Sequence, residues 1–226
     1  MNKIAIFYHL YQVNNWLEIF TDQMAHIRDS GLFDAADYIH IGINGNHSIE
    51  LDTNKEHSIK FNSIEFCDGE TETMLDLYNF CLANKEYKVL FLHAKGVTFH
   101  KSELGDNVKF WRKYMEKFSI ENWRKCCELL NNHDCVGTEW ETDMILAGQS
   151  FISPCYAGTF WCANAEYISN LDPNFLFLNS RDIPGSRRFQ CEFWIGTGNP
   201  NYYNFYNSNR NKYYSAVLPE EYEHLL

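Results

Sequence analysis

Three short stretches carry residue types able to do chemistry. Leu90-Phe91-Leu92-His93-Ala94-Lys95-Gly96 sets an imidazole and an ammonium at the end of an apolar run, followed by a glycine. His93 can ligate a divalent metal or hydrogen-bond a phosphate. Lys95 can neutralise a diphosphate, and Gly96 lets the backbone approach a ligand. The plainer alternative is a satisfied strand-end histidine beside an exposed lysine. Tyr156-Ala157-Gly158-Thr159-Phe160-Trp161-Cys162-Ala163-Asn164 offers rings that pack on the C–H face of a pyranose and an amide that bonds its hydroxyls. The alternative is a packed turn before a helix. In Arg188-Phe189-Gln190-Cys191-Glu192-Phe193-Trp194-Ile195-Gly196 a carboxylate sits among apolar and aromatic residues. Desolvation there pushes a carboxyl toward its neutral form and suits it to accept a proton. A buried pair with Arg187 or Arg188 is the other reading.

Weaker acidic signals lie elsewhere. Asp68, Glu70 and Glu72 suit a helix N-terminus, where Glu70 or Thr71 can also reach a nucleotide. Glu139, Glu141 and Asp143 are either a solvated loop or acceptor and metal contacts. The chain has no G-x-G-x-x-G after its first strand, no G-x-x-x-x-G-K-[ST], no G-x-S-x-G and no H-E-x-x-H. These gaps argue against ordinary dehydrogenases, P-loop kinases, serine hydrolases and zincins.

The elements that must position these residues follow from periodicity. Ile4–Phe7 reads as a buried strand. Asn14 or Asn15 caps a helix with a stripe of Trp16, Ile19, Phe20, Met24 and Ile27, closed by Gly31. Ile39, Ile41 and Ile43 alternate as a second strand, and Asn44-Gly45-Asn46 turns. Strand-like fragments follow at Ile59–Phe61 and Ile64–Phe66. A helix then runs with Met74, Leu75, Tyr78, Cys81 and Leu82 on its stripe. Val89–Leu92 reads as a central parallel strand. Asp106 caps a helix carrying Val108, Trp111, Met115 and Phe118, and Ser119 caps the next. Cys135–Gly137 resembles another strand, and helical pieces fall near Ala163–Leu171 and Arg188–Ile195. The ring-rich stretch from Tyr202 to Tyr214 is expected to fold back as a lid or edge. Strands alternating with helices indicate an α/β layered fold with a mainly parallel sheet. Ligands of such folds sit at strand carboxyl ends, which selects Tyr8–Tyr11, Asn44–Asn46 and His93–Gly96.

Length and composition set the outer bounds. The chain has 226 residues, which suits one domain, 1–226. It carries 30 acidic and 19 basic residues, a net charge of −11, so general nucleic-acid binding is disfavoured. The eight cysteines show no framework and no C-x-x-C pair, and reduced, mostly buried thiols are expected rather than disulfides or structural zinc. No segment reads as a signal peptide or membrane span, so a cytoplasmic protein is expected.

In their order and spacing, the Phe7-Tyr8-His9-Leu10-Tyr11, Gly69-Glu70, Leu92–Gly96, Gly158–Asn164 and Glu192–Gly196 pieces resemble small GT-A type glycosyltransferases. Such domains occur in large DNA viruses of algae (chloroviruses) and in bacterial polysaccharide gene sets. The pieces span nearly the whole chain, and each is short. The resemblance implies a Rossmann-type α/β/α sandwich with the nucleotide sugar over about residues 1–100 and the acceptor over about 101–226. By it, Tyr8, His9 and Tyr11 lie near the base and ribose, and Glu70, Thr71, His93, Lys95 and Gly96 complete the site of a donor such as a UDP-sugar. His93-Ala94-Lys95 stands where this fold usually has Asp-x-Asp. Either Lys95 replaces much of a metal's charge, or His93 holds Mn²⁺ or Mg²⁺. Glu192 matches the base of inverting members, and Gly158, Trp161, Asn164 and Trp194 face a glycan acceptor. The alternative is a glycan- or nucleotide-binding module without turnover.

Overall fold

The most apolar runs form the middle of the sheet in the computed structural model, which describes residues 3–63, 69–142, 144–146, 149–151, 154–177 and 186–225. β1 (Lys3–Tyr11), β2 (Tyr38–Asn44) and β4 (Tyr87–His93) are buried along almost their whole length. A strand buried on both faces needs apolar side chains pointing both ways, so its sequence is a continuous run rather than an alternation. β3 (Glu56–Phe61), on the edge, is exposed or half-buried throughout.

The seven-stranded sheet has the order β11-β5-β10-β4-β1-β2-β3. β5 is Cys135–Gly137, β10 Trp161–Asn164 and β11 Tyr202–Asn204. β1 pairs in parallel with both β2 and β4, and β2 with β3. β11 is parallel to β5, and β10 alone runs against its two neighbours, β4 and β5. Two short pairs lie outside this sheet. They are β6 (Trp140–Glu141) with β9 (Cys155–Tyr156), and β7 (Met144–Leu146) with β8 (Gln149–Phe151).

Alternation along the strands divides the core in two. Ile4, Ile6, Tyr8, Leu10, Leu90 and Leu92 face one layer. There they meet α1 (Trp16–Asp29), α2 (Leu32–Ala35), α4 (Gly105–Glu116), α5 (Trp123–Leu129) and α8 (Pro219–Tyr222). Ala5, Phe7, Val89 and Phe91 face the other. That layer holds α3 (Thr71–Ala83), α6 (Ala165–Ser169) and α7 (Ser186–Trp194). Helices cover both faces of a mainly parallel sheet, so the protein is an α/β/α sandwich of the Rossmann-like kind. Among the described residues no helix is long and apolar enough to cross a membrane.

Local departures from the sequence expectations have physical causes. Ser119 does not cap a helix. It sits inside a π-helical turn, Lys117–Glu121, and its hydroxyl donates back to the Met115 carbonyl at 2.8 Å. Trp161–Asn164 is strand, not turn, with Trp161 stacked on Phe91 across the β10–β4 pair at 5.2 Å. Leu82, assigned to the stripe of α3, is 48% exposed, and Leu77 takes the buried position instead. The expected strand fragment at Ile64–Phe66 lies outside the described residues. The seven described cysteines are unbridged. The C-terminal rings do fold back: Tyr202 stacks on Trp140 at 4.2 Å, while Tyr203, Phe205, Tyr206 and Tyr213 pack on the α1/α4 layer.

Candidate functional site

β1 is the point at which the sheet's connections diverge. The chain leaves β1 through α1 toward β2, and arrives at β4 through α3 on the other face. Ligands of open α/β sheets bind in the crevice beyond the carboxyl ends at such a point. Register brings two histidines together there. His9 of β1 is the partner of His93 of β4 on one side and of Gly42 of β2 on the other.

His9 is buried and held by α3. Its Nδ1 lies 2.9 Å from the Thr73 hydroxyl, which also accepts from the Asn62 amide at 3.2 Å. Asn62 donates to Asn44 Oδ1 at 2.8 Å, and Asn44 donates to the Gly69 carbonyl. Gly42 makes this possible, because a Cβ there would come within 2.1 Å of Thr73 Oγ1. Burial lowers the pKa of His9 to about 3, so the ring is neutral at pH 7.

His93 is gripped from both sides. Its Nδ1 is 3.3 Å from Glu70 Oε1 at the start of α3, and its Nε2 is 2.9 Å from the Gly158 carbonyl. Only the protonated ring, with two N–H groups, can donate to both oxygens. A metal needs a nitrogen lone pair, so an ion on His93 requires one of these contacts to be given up. Among the described residues no group of three or more His, Cys, Asp or Glu is arranged to hold a metal.

α7 closes the crevice from a distant part of the sequence. The Cys191 thiol lies 3.4 Å from the Thr71 hydroxyl. Burial first, and then the charge of Glu70, raises that thiol's pKa. The next residue, Glu192, is half-buried, and its carboxylate follows burial as a cause of the raised pKa of Cys155. Thus His9, Glu70, Thr71, His93 and Gly158 converge on the α3/α7 side, and Cys191, the neighbour of Glu192, packs against Thr71 there.

Other expected site residues stand elsewhere. Tyr8 points into the opposite layer, 1% exposed, and its hydroxyl donates to Gln23 Oε1 at 2.5 Å. Tyr11 is exposed at the end of β1. Lys95 is only 5% exposed and stands over the Trp111 ring at 3.5 Å, on the α4 side of the turn. Gly96 follows with φ +105°, a backbone conformation suited to glycine. Trp161 and Trp194 are core residues, Trp194 donating to the Asp172 carbonyl at 3.0 Å. Asn164 lies at the far end of the sheet, opposite Lys88. Its amide donates to the Leu130 and His133 carbonyls.

Glu139 is not a solvated acid. It is fully buried with φ +58°, accepts from the Ser208 N–H, and pairs with Lys212 at 2.9 Å. Lys212 also reaches Glu141 at 3.1 Å and lies 5.5 Å from the Trp111 ring. Asp143 lies outside the described residues. Sequence reasoning missed Lys212, whose only signal is a lone lysine in an aromatic stretch.

Sheet order and helix placement define an α/β/α protein with a topological switch point at β1. The profile of a family described as a domain of unknown function, DUF8361, matches residues 7–199, and the chain belongs to that family. No curated protein matches it.

Proposed function

We propose that the protein transfers a sugar from a nucleoside-diphosphate sugar to a hydroxyl of a glycan acceptor. The observation that carries the reading is the meeting of Glu70, Thr71, His93 and the Glu192 turn of α7 at the carboxyl ends of β1 and β4. A half-buried carboxylate on α7, the helix that packs against Thr71 beside Glu70 and His93, suits displacement of an anionic leaving group by an alcohol.

In this proposal Glu192 accepts the proton of the acceptor hydroxyl. The hydroxyl oxygen bonds to the anomeric carbon as the bond to the diphosphate oxygen breaks, and configuration inverts. The diphosphate leaves with the electron pair. Its charge is met by His93, positioned by Glu70 and Gly158, and by the field of Lys95 across the turn. His9 and Tyr11 border the nucleoside, for which uridine is the first candidate. Gly158 borders the acceptor, while Trp161 and Trp194 support the walls from the core. Asn164, at the opposite end of the sheet, takes no part.

A panel of nucleotide sugars and glycan acceptors, read by released nucleoside diphosphate, tests this. The expected result is turnover with at least one donor, lowered about 10²–10⁴-fold by Glu192→Gln with donor binding retained. EDTA leaves donor binding unchanged if the His93 contacts persist. Donor binding without turnover, unaffected by Glu192→Gln, favours a binding module, a reading helped by the engaged state of both His93 nitrogens. Absence of nucleotide binding sinks the transferase and leaves a glycan-binding module.

A further inference from the structure

The turn after β4 has a second side. Opposite His93, between the starts of α1 and α4, lies a cleft of about 240 Å³ walled by Gly96 and the His100–Ser102 loop. Its lining carries Lys101, Lys109 and Arg112, with His100, against two carboxylates, Glu18 and Asp106. On a chain of net charge −11 this is a local excess of positive charge.

Arg112 fixes the character of the cleft. It is only 5% exposed. Nη1 donates to the Lys95 carbonyl at 3.3 Å, Nη2 lies 3.4 Å from Asp22, and Nε lies 3.3 Å from Glu116. A guanidinium has five N–H donors, so these contacts leave two for a further acceptor. Behind it, Glu116 is held by His26 and Lys113, so the guanidinium cannot move without disturbing a network spanning α1 and α4. A Cβ on Gly96 would meet Val108, Ile19 and Arg112 Nη1 at 3.6, 3.7 and 3.9 Å, which is ordinary van der Waals contact. Both helices, of 14 and 12 residues, begin at this cleft, whose lining includes Asn15, Glu18, Gly105 and Asp106.

Size narrows the ligand. The volume is below the roughly 300–1,000 Å³ of sites for whole cofactors. It suits one small oxyanion. We propose that this cleft binds a phosphate-class group, through Arg112, Lys101 and Lys109. The site is separate from the crevice around His93 and independent of the activity proposed above. The group is either free phosphate or the terminal phosphate of a larger molecule.

The test compares inorganic phosphate, a phosphomonoester and chloride at equal ionic strength. Amide shifts of Gly96, Gly105 and Lys109, together with thermal melting, are the readouts. Either phosphate species is expected to shift those amides and raise Tm beyond chloride. Tighter binding of the ester assigns a ligand's own phosphate, and binding of inorganic phosphate alone assigns the free ion. Lys101 and Lys109 are exposed, so the Lys101→Glu/Lys109→Glu variant is expected to fold normally. It should bind about tenfold or more weakly. Phosphate stabilising the variant and wild type equally, or no better than chloride, would overturn the proposal. A nucleotide sugar should bind the variant as it binds wild type, which keeps the two sites distinguishable.

Discussion

His9 makes acid stability a quantitative readout of the crevice. Its pKa is about 3 in the fold, against 6.5 for an unperturbed histidine. The unfolded chain takes a proton on His9 below about pH 6.5, while the folded protein refuses it. Stability therefore falls as pH drops from 6.5 toward 3. At 1.36 kcal/mol per unit, the loss is about 2 kcal/mol at pH 5 and about 4–5 kcal/mol near pH 3. For a chain of this length, 2 kcal/mol corresponds to roughly 4–8 °C in Tm. His26 runs the other way. Its pKa is raised chiefly by the hydrogen bond to Glu116, so its contribution is present below pH 6.5 and is lost as pH rises through the folded value. Comparing wild type with His9→Gln cancels that background. Urea unfolding of both proteins at pH 7 and pH 5 should show wild type losing about 2 kcal/mol more across the interval. Equal losses, or a His9 ring that titrates near 6.5 by NMR, would refute a sealed imidazole held by Thr73.

Gly42→Ala should lower stability by about 1–3 kcal/mol through overpacking against Thr73, whose hydroxyl stands 2.1 Å from the added Cβ. The His9 resonances should shift with it, and a variant as stable as wild type with an unmoved His9 ring would count against the notch. Lys212→Met should cost about 3–5 kcal/mol by leaving the fully buried Glu139 without its lysine. Adding Glu139→Gln should restore part of that loss in urea unfolding, and a single-variant loss under about 1 kcal/mol would show the pair to be dispensable.

The central layer was readable because its physics is local. Val89–Leu92 and the Ile39–Ile43 alternation announce strands by their own side chains, and the stripe from Ile19 to Ile27 announces a helix. Lys95 was harder. Its position after a strand left a diphosphate-binding cation and an exposed one as alternatives, and only the packing of α4 sets Trp111 beneath it. Glu139 looked solvated because its partner, Lys212, lies 73 residues on. The contact of His93 with Gly158 is also invisible locally, since it depends on β10 entering the sheet between β4 and β5. The pattern of burial could be read from neighbours in sequence, but the pairing of charges could not.

The reversal of β10 divides the site into parts with different freedom to change. Six strands finish at the crevice, and β10 starts there. The chain that leaves β5 at Gly137 therefore returns to the same end of the sheet at Phe160. Insertions or deletions in that excursion need not shift the register of β1 against β4, and doubling such a loop costs only about 0.6 kcal/mol in closure entropy. Within that excursion Glu139 and Gly158 are fixed by Lys212 and His93, so length variation is expected between β6 and β9 rather than at those two residues. Divergence in the molecules admitted should be written in residues 138–160 before it reaches the strands.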